Sequence, residues 1–141
     1  MNIKKTLALL HRWLFSVKMN NIYIAKYIIT RCNFINNPIS NIQLQHILYK
    51  IYKAVPGCLE IISSDCVLDG TVCKAIFKDV YYHFHINGAL TILEEYPEEY
   101  YGLKNILQDK DIYIINMIID KEIHTDLWDL VWSDDNINFG G

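Results

Sequence analysis

The stretch PISNIQLQHILYKIY, Pro38 to Tyr52, decides how the chain is read. Ser40 suits an N-cap: its hydroxyl can accept from the amide of Gln43, and the Gln43 side chain can reach back to the Ser40 amide, closing a capping box. Ile39 and Leu44 take the flanking positions of a hydrophobic staple. Leu44, Ile47, Leu48, Ile51 and Val55 then recur at helical spacing as a buried stripe, with Asn41, Gln45 and Lys53 largely off it. Pro56-Gly57 ends the helix. A segment so well punctuated and so poor in reactive side chains is a scaffold element.

Working outward, the preceding NNIYIAKYIITRC predicts a helix with Ile22, Ala25, Ile28, Ile29 and Cys32 on one side, stopped by Asn36-Asn37-Pro38. Before it, Ile3, Leu7, Leu10, Leu14 and Val17 recur at helical spacing among Lys4, Lys5, Arg12 and Lys18, an amphipathic basic segment over residues 1–18. Met19 is a second candidate start. After Pro56, CLEIISSDCVLDGTVC turns short and β-branched. Two brief strands fit it, with Ser63-Ser64-Asp65 and Asp69-Gly70 as turns. Helical spacing returns through Ile76, Val80 and Phe84 and stops at Asn87-Gly88. Pro97 opens a helix whose first turn carries Glu98 and Glu99, with Leu103, Ile106 and Leu107 facing inward. DIYIINMIID is apolar nearly all round and predicts a helix buried on several sides. HTDLWDLVW reads as a last short helix capped by Thr125, followed by a loose tail at 133–141. The expected fold is mainly α: a compact single-domain helical fold with a short antiparallel β-hairpin inserted between helices.

The 141 residues suffice for one domain with a real core. A hydrophobic fraction of 52% argues against wholesale disorder. The net charge of −3 hides an asymmetry. No Asp or Glu precedes Glu60, while that part carries eight Lys and Arg; the remainder holds five basic and sixteen acidic residues, so the halves are +8 and −11. Either the two ends pack together and their fields cancel, or the basic half faces an anionic partner such as nucleic acid. The basic residues are dispersed, which favours the first.

The N-terminal apolar run is broken by His11 and Arg12, short of the ~20 residues a membrane span needs, and no small-residue cleavage site follows it. The expected address is cytoplasmic, with Cys32, Cys58, Cys66 and Cys73 reduced. No C-x₂-C pair occurs, so His83 and His85 lack the closely spaced partners of a structural zinc site; neither a metal nor a cofactor is expected. The thiols read as small buried hydrophobes. No nucleophile–base pair, phosphate loop or paired carboxylates in a marked context is found, and an enzyme is not expected.

NIYIAKYIITRC followed by PISNIQLQHILYKIY resembles the opening of the Panacea antitoxin domain family, which includes phage-associated proteins and SocA-type proteolytic adaptors. There an AKYI helix leads into PITNLKLQKLLYF. Ala25, Lys26, Tyr27 and Ile28 match, then Pro38, Ile39, Ser40, Asn41, Leu44, Gln45, Leu48 and Tyr49. KDVYYHFHINGALTI, Lys78 to Ile92, resembles the family's RDVYYHF…GA.PI, and DLWDLV, Asp126 to Val131, its SPWDLV. Residues 19–132 are covered. The family's AW.YGPV is here GTVCKAI, so its Gly-Pro pair becomes Lys74-Ala75, and its C-terminal Thr-His pair becomes Trp132-Ser133.

The resemblance implies a protein-binding module that neutralises a toxin by direct contact, or delivers it to a protease, inside a bacterium or a phage-infected cell. A related expectation is a phage- or mobile-element-encoded inhibitor of a host target; another class is a nucleic-acid-binding regulator using the basic half. The candidate partner-binding residues are Tyr81, Tyr82 and His83, with Gln45 and Tyr49 from the first matching block. The YYHF run reads first as core packing, since buried aromatics dominate cores; the alternative is that some of Tyr81, Tyr82 and His83 are exposed at a partner surface, where Tyr gives large contact area at low entropy cost.

Overall fold

The computed structural model describes residues 3–6, 21–60, 64–68, 71–75, 77–88 and 90–124, with the two strands described by their backbone alone. The described part is mainly helical. Helices α1 (Asn21–Phe34), α2 (Asn41–Ala54), α3 (Lys78–His83), α4 (Pro97–Gly102) and α5 (Asp109–Glu122) are joined by 3-10 turns at His85–Asn87 and Leu103–Asn105. Between α2 and α3, β1 (Ser64–Leu68) lies antiparallel to β2 (Thr71–Ala75), pairing Ser64 with Ala75 and Asp65 with Lys74. Ser64 and Asp65, expected in a turn, therefore belong to a strand.

α1 is the central helix because three others, α2, α3 and α4, pack against it. Its burial runs beyond the single face expected: Ile24, Tyr27 and Thr30 are buried with Ala25, Ile28, Ile29 and Cys32, and Ile22 is only partly covered. Its end follows from backbone chemistry. Asn36 adopts a left-handed conformation (φ 58°). The Asn36 amide then donates to Asn33 O (3.1 Å) and the Asn37 amide to Cys32 O (2.8 Å), the double bond of a Schellman close. Pro38 forbids any continuation.

α2 begins with the expected capping box. The Ser40 amide donates to Gln43 Oε1 (2.8 Å) and the Gln43 amide to Ser40 Oγ (3.4 Å). All five stripe residues are buried, as is Ile39. Asn41 and Gln45, expected off the stripe, are buried as well. An interior accepts such amides only when they are hydrogen-bonded, and these bond the backbone of the segment that follows the strands.

α4 starts at Pro97 and ends at Gly102, where the Tyr23 hydroxyl of α1 lies so close that an added Cβ would sit 2.5 Å from it. Tyr27 stacks on Tyr100 with centroids 5.2 Å apart, and Phe34 meets the same ring edge-on at 4.9 Å, which seats α4 on α1. Leu103 is fully buried, whereas Ile106 and Leu107 are only half-buried because the chain tightens into a 3-10 turn there.

α5 is a correction. Expected to be buried on several sides, it buries a narrow face of Asp111, Ile115 and Ile119 and leaves Tyr113 and Met117 exposed, because it lies on α2 along one side. Polar contacts fix its seat: Tyr27 Oη donates to Asn116 Oδ1 (2.6 Å), and Arg31 donates from Nε (3.0 Å) and Nη2 (2.8 Å) to Asp120. His46 Nε2 lies 2.9 Å from Glu122 Oε2, and Lys26 Nζ lies 3.8 Å from Glu99. Arg31 and Lys26 of the acid-free half thus meet anions of the acidic half. Solvent-accessible pairs such as Arg31–Asp120 and Lys26–Glu99 contribute under about 1 kcal/mol each, so they align helices more than they stabilise them.

The amphipathic segment beyond residues 3–6, Ile76, the Asp69-Gly70 turn, the Thr125 helix and the 133–141 tail lie outside the described residues, as do the expected boundaries at 18/19 and 132/133.

Two substitutions separate cap from core. Ser40→Ala should cost about 1 kcal/mol. Gln45→Leu, which strands the buried amide and carbonyl of Phe77, should cost about 3 kcal/mol. Urea unfolding with an unchanged m-value checks both; equal costs would contradict the assignment.

Candidate functional site

The second matching block, Lys78 to Ile92, is held by amides projecting from the two helices that open the domain. Gln45 Nε2 donates to Phe77 O and the Phe77 amide donates to Gln45 Oε1, both at 2.9 Å. One side chain thereby imitates a strand edge and fixes the backbone just before α3. Asn41 Nδ2 donates to Tyr81 O (2.9 Å). Asn21 does the same work upstream: its Nδ2 donates to Glu60 O (2.6 Å) and Asp79 Oδ1 (3.2 Å), and its Oδ1 accepts from the Glu60 amide (2.9 Å).

Beyond α3 the chain forms an arch with two buried feet. Phe84 is one, edge-on to Tyr96 at 6.4 Å; Ile92 is the other. Gly88, with φ 59° and ψ −129°, reverses the chain between them in a conformation that a side chain would strain. The returning arm is tied down: the Ile92 amide donates to Ile39 O (2.8 Å), and Asn33 Nδ2 donates to Ile92 O (3.1 Å) and Glu94 O (2.9 Å). With the feet buried, apolar side chains between them and just outside them point to solvent. Ile86 is 87% exposed, Leu90 75%, Leu93 70% and Tyr82 47%. Four large apolar residues are exposed within a dozen positions on backbone anchored at Phe84 and Ile92, which makes this segment the candidate interaction surface.

The expected contact residues separate into three groups. Tyr82 and His83 are exposed and Tyr81 is half-buried. The Tyr81 and Tyr82 rings meet edge-on at 5.4 Å, and Tyr82 meets His85 at 6.2 Å. His85 Nδ1–H donates to Tyr82 O, which holds the 3-10 turn against α3. Tyr49 is half-buried elsewhere, stacked on Tyr52 at 6.3 Å with Lys53 Nζ 5.3 Å from its ring centre. It lies two turns down α2 from Asn41, roughly 12 Å along the axis, and so apart from the arch. Gln45 is a correction: at 1% exposure, with its amide donating to and accepting from Phe77, it positions the surface and does not belong to it. Ile86, Leu90 and Leu93 were not singled out from the sequence. The available signal was three large apolar residues around Asn87-Gly88, where a loop tip is ordinarily polar.

Reactive chemistry is muted in this part of the chain. Burial pushes the Cys32 and Cys58 thiols up to about 12, so both stay protonated and poorly nucleophilic. His46 and Glu122 face each other between α2 and α5. Among the described residues no group of three or more His, Cys, Asp or Glu is arranged to hold a metal ion. No described helix is long and apolar enough to cross a membrane. Burial first, then the bond donated to Glu94, raises the Tyr96 phenol, which keeps it a neutral donor (2.6 Å) beside the arch. No family model, curated protein or solved structure matches the chain.

The buried thiols give a pH test. Their folded pKa lies above the unfolded value of 9.0, so their contribution is complete below pH 9 and is lost as pH rises toward 12. Cys32 and Cys58 should resist a maleimide at pH 8 until urea unfolds the chain, read by peptide mass spectrometry; stability should fall above pH 9. Prompt labelling of both in the folded chain would contradict their burial.

Proposed function

We propose that this chain is a non-enzymatic protein-binding module of the kind implied by its resemblance to the Panacea antitoxin domain family, neutralising a partner protein by direct sequestration. The observation that carries the reading is the arch from Tyr82 to Leu93. Its exposed apolar side chains stand on backbone anchored by Gln45, Asn41, Asn33 and Ile39. A surface held in place before contact loses little conformational entropy on binding. The resemblance supports a toxin as the partner, with delivery to a protease as a further step, in the cytoplasm of a bacterium or a phage-infected cell. An inhibitor of a host protein would use the same arch.

The nucleic-acid reading draws less support. Arg31 and Lys26, from the acid-free half, are engaged by Asp120 and Glu99 and so offer less charge to phosphates.

The test is affinity capture from the native host with the full chain and with Leu90→Lys/Leu93→Lys. One stoichiometric protein should be retained by the full chain and lost from the variant, whose circular dichroism and urea midpoint should not change. If that protein halts growth when expressed alone and is tolerated with the chain, the antitoxin role follows. Recovery of nucleic acid instead, released at moderate salt, would overturn the proposal.

A further inference from the structure

The arch has a one-signed electrostatic border. Lys78 and Lys104 bracket a stretch with no Lys or Arg, in which Asp79, Glu94, Glu95, Glu98 and Glu99 are the charged residues apart from His83 and His85. Two of the five carboxylates are answered from α1: Asp79 accepts from the Asn21 amide, and Glu99 faces Lys26. Lys26 also lies over the Tyr96 ring, 4.9 Å from its centre. Glu94, Glu95 and Glu98 are exposed. Glu94 accepts a bond from the Tyr96 phenol, which leaves its negative charge in place. Tyr96 packs on Phe84, one of the feet of the arch, so these carboxylates border the same arm that exposes Leu90 and Leu93.

An apolar patch bordered by carboxylates that no cation among the described residues answers selects its occupant by sign as well as by shape. A nucleic acid would meet like charge, and an acidic apolar segment would be repelled at close range. Resting on the protein-binding reading above, we infer that the occupant is a basic amphipathic protein segment. Its apolar side chains seat on Ile86, Leu90 and Leu93, and its Lys or Arg residues meet Glu94, Glu95 and Glu98. Complementary charge of this kind speeds encounter and rejects wrong partners, while the apolar contacts hold the complex.

The probe is a labelled Leu–Lys peptide of helical period, with a twin carrying Glu in place of Lys, titrated with the full chain by fluorescence anisotropy. The Leu–Lys peptide should bind and the Leu–Glu twin should bind at least tenfold more weakly. Glu94→Gln/Glu95→Gln/Glu98→Gln should weaken Leu–Lys binding about tenfold, the scale of three exposed ion pairs, and raised salt should do the same. Leu90→Ser/Leu93→Ser should weaken it as much. The control Glu60→Gln/Asp109→Asn, which removes two carboxylates off the arch, should leave it unchanged. Equal binding of the two peptides, no binding of either, or indifference to the triple Gln variant would overturn the inference. Affinity capture separates this from the broader reading. If the triple Gln variant keeps the native partner and Leu90→Lys/Leu93→Lys loses it, the basic-segment inference fails and protein binding at the arch stands. If both keep it, the arch is not the binding surface and both fail.

Discussion

The bracket between Gln45 and Phe77 is the constraint on which the rest of the domain depends. A fully buried carboxamide must find both a donor and an acceptor, and the Phe77 backbone offers one of each at 2.9 Å. Phe77 is fully buried and meets Tyr52 edge-on at 6.4 Å, so the backbone at that point cannot slide along α2 without stranding polar groups. Everything downstream, including α3, the arch and the return to Ile39, inherits its register from this point. A leucine at residue 45 could fill the space but would leave the register of the following segment unspecified. That difference, between filling a core and orienting it, explains why Gln45 sits among the buried apolar stripe of α2.

Asn21 and Asn41 extend the same logic. All three amides sit on the opening helices: Gln45 and Asn41 grip the backbone that enters and forms α3, and Asn21 holds the Glu60 backbone and the Asp79 side chain of α3, a helix only six residues long. A helix of that length has little stability of its own, since most of its hydrogen-bonding groups are terminal. Its order comes from α1 and α2, through Val80 and Phe84 in the core and through the amide grips. The arch is therefore rigid for reasons that lie elsewhere in the chain. A surface meant to contact a partner can then expose apolar side chains without those side chains being needed to hold their own backbone in place.

Much of this was legible in the sequence, unevenly. α2 was read nearly to the residue, because capping, stapling and a Pro-Gly stop are local codes whose physics acts within a few residues. The Pro97 start and the Asn36-Asn37-Pro38 stop were legible for the same reason. What escaped depends on contacts between distant segments. Gln45 looks like an exposed polar residue until Phe77 is seen 32 positions away. DIYIINMIID looks buried all round because its pattern says which residues are apolar, not how many neighbours reach them; α2 packs on one side, α1 adds Tyr27 and Arg31, and Tyr113 and Met117 are left outside. On α1 the error ran the other way, since Ile24 and Tyr27 are buried by α2, α3 and α4 arriving on separate flanks. In the candidate site Tyr82 and His83 are exposed although core packing is the first reading of their aromatic run, and Ile86, Leu90 and Leu93 carry no expectation from the sequence. Their exposure is a consequence of where Phe84 and Ile92 anchor the arm.

The charge asymmetry shows how one sequence feature can carry two consequences. Separating cations into the first part of the chain and anions into the rest lets α1 and α2 find α4 and α5 through opposite charges, as Arg31 with Asp120 and Lys26 with Glu99 illustrate. A folded pairing of this sort consumes cations one for one, and the acidic part holds more charges than the basic part can answer. The surplus must sit somewhere, and a surplus next to solvent costs little. Where it borders an exposed apolar arm, as Glu94, Glu95 and Glu98 do, like-charged borders would meet if two copies of that arm approached each other. The residues whose charges would meet there are thus the same ones that would choose, by sign, what is allowed to cover the arm.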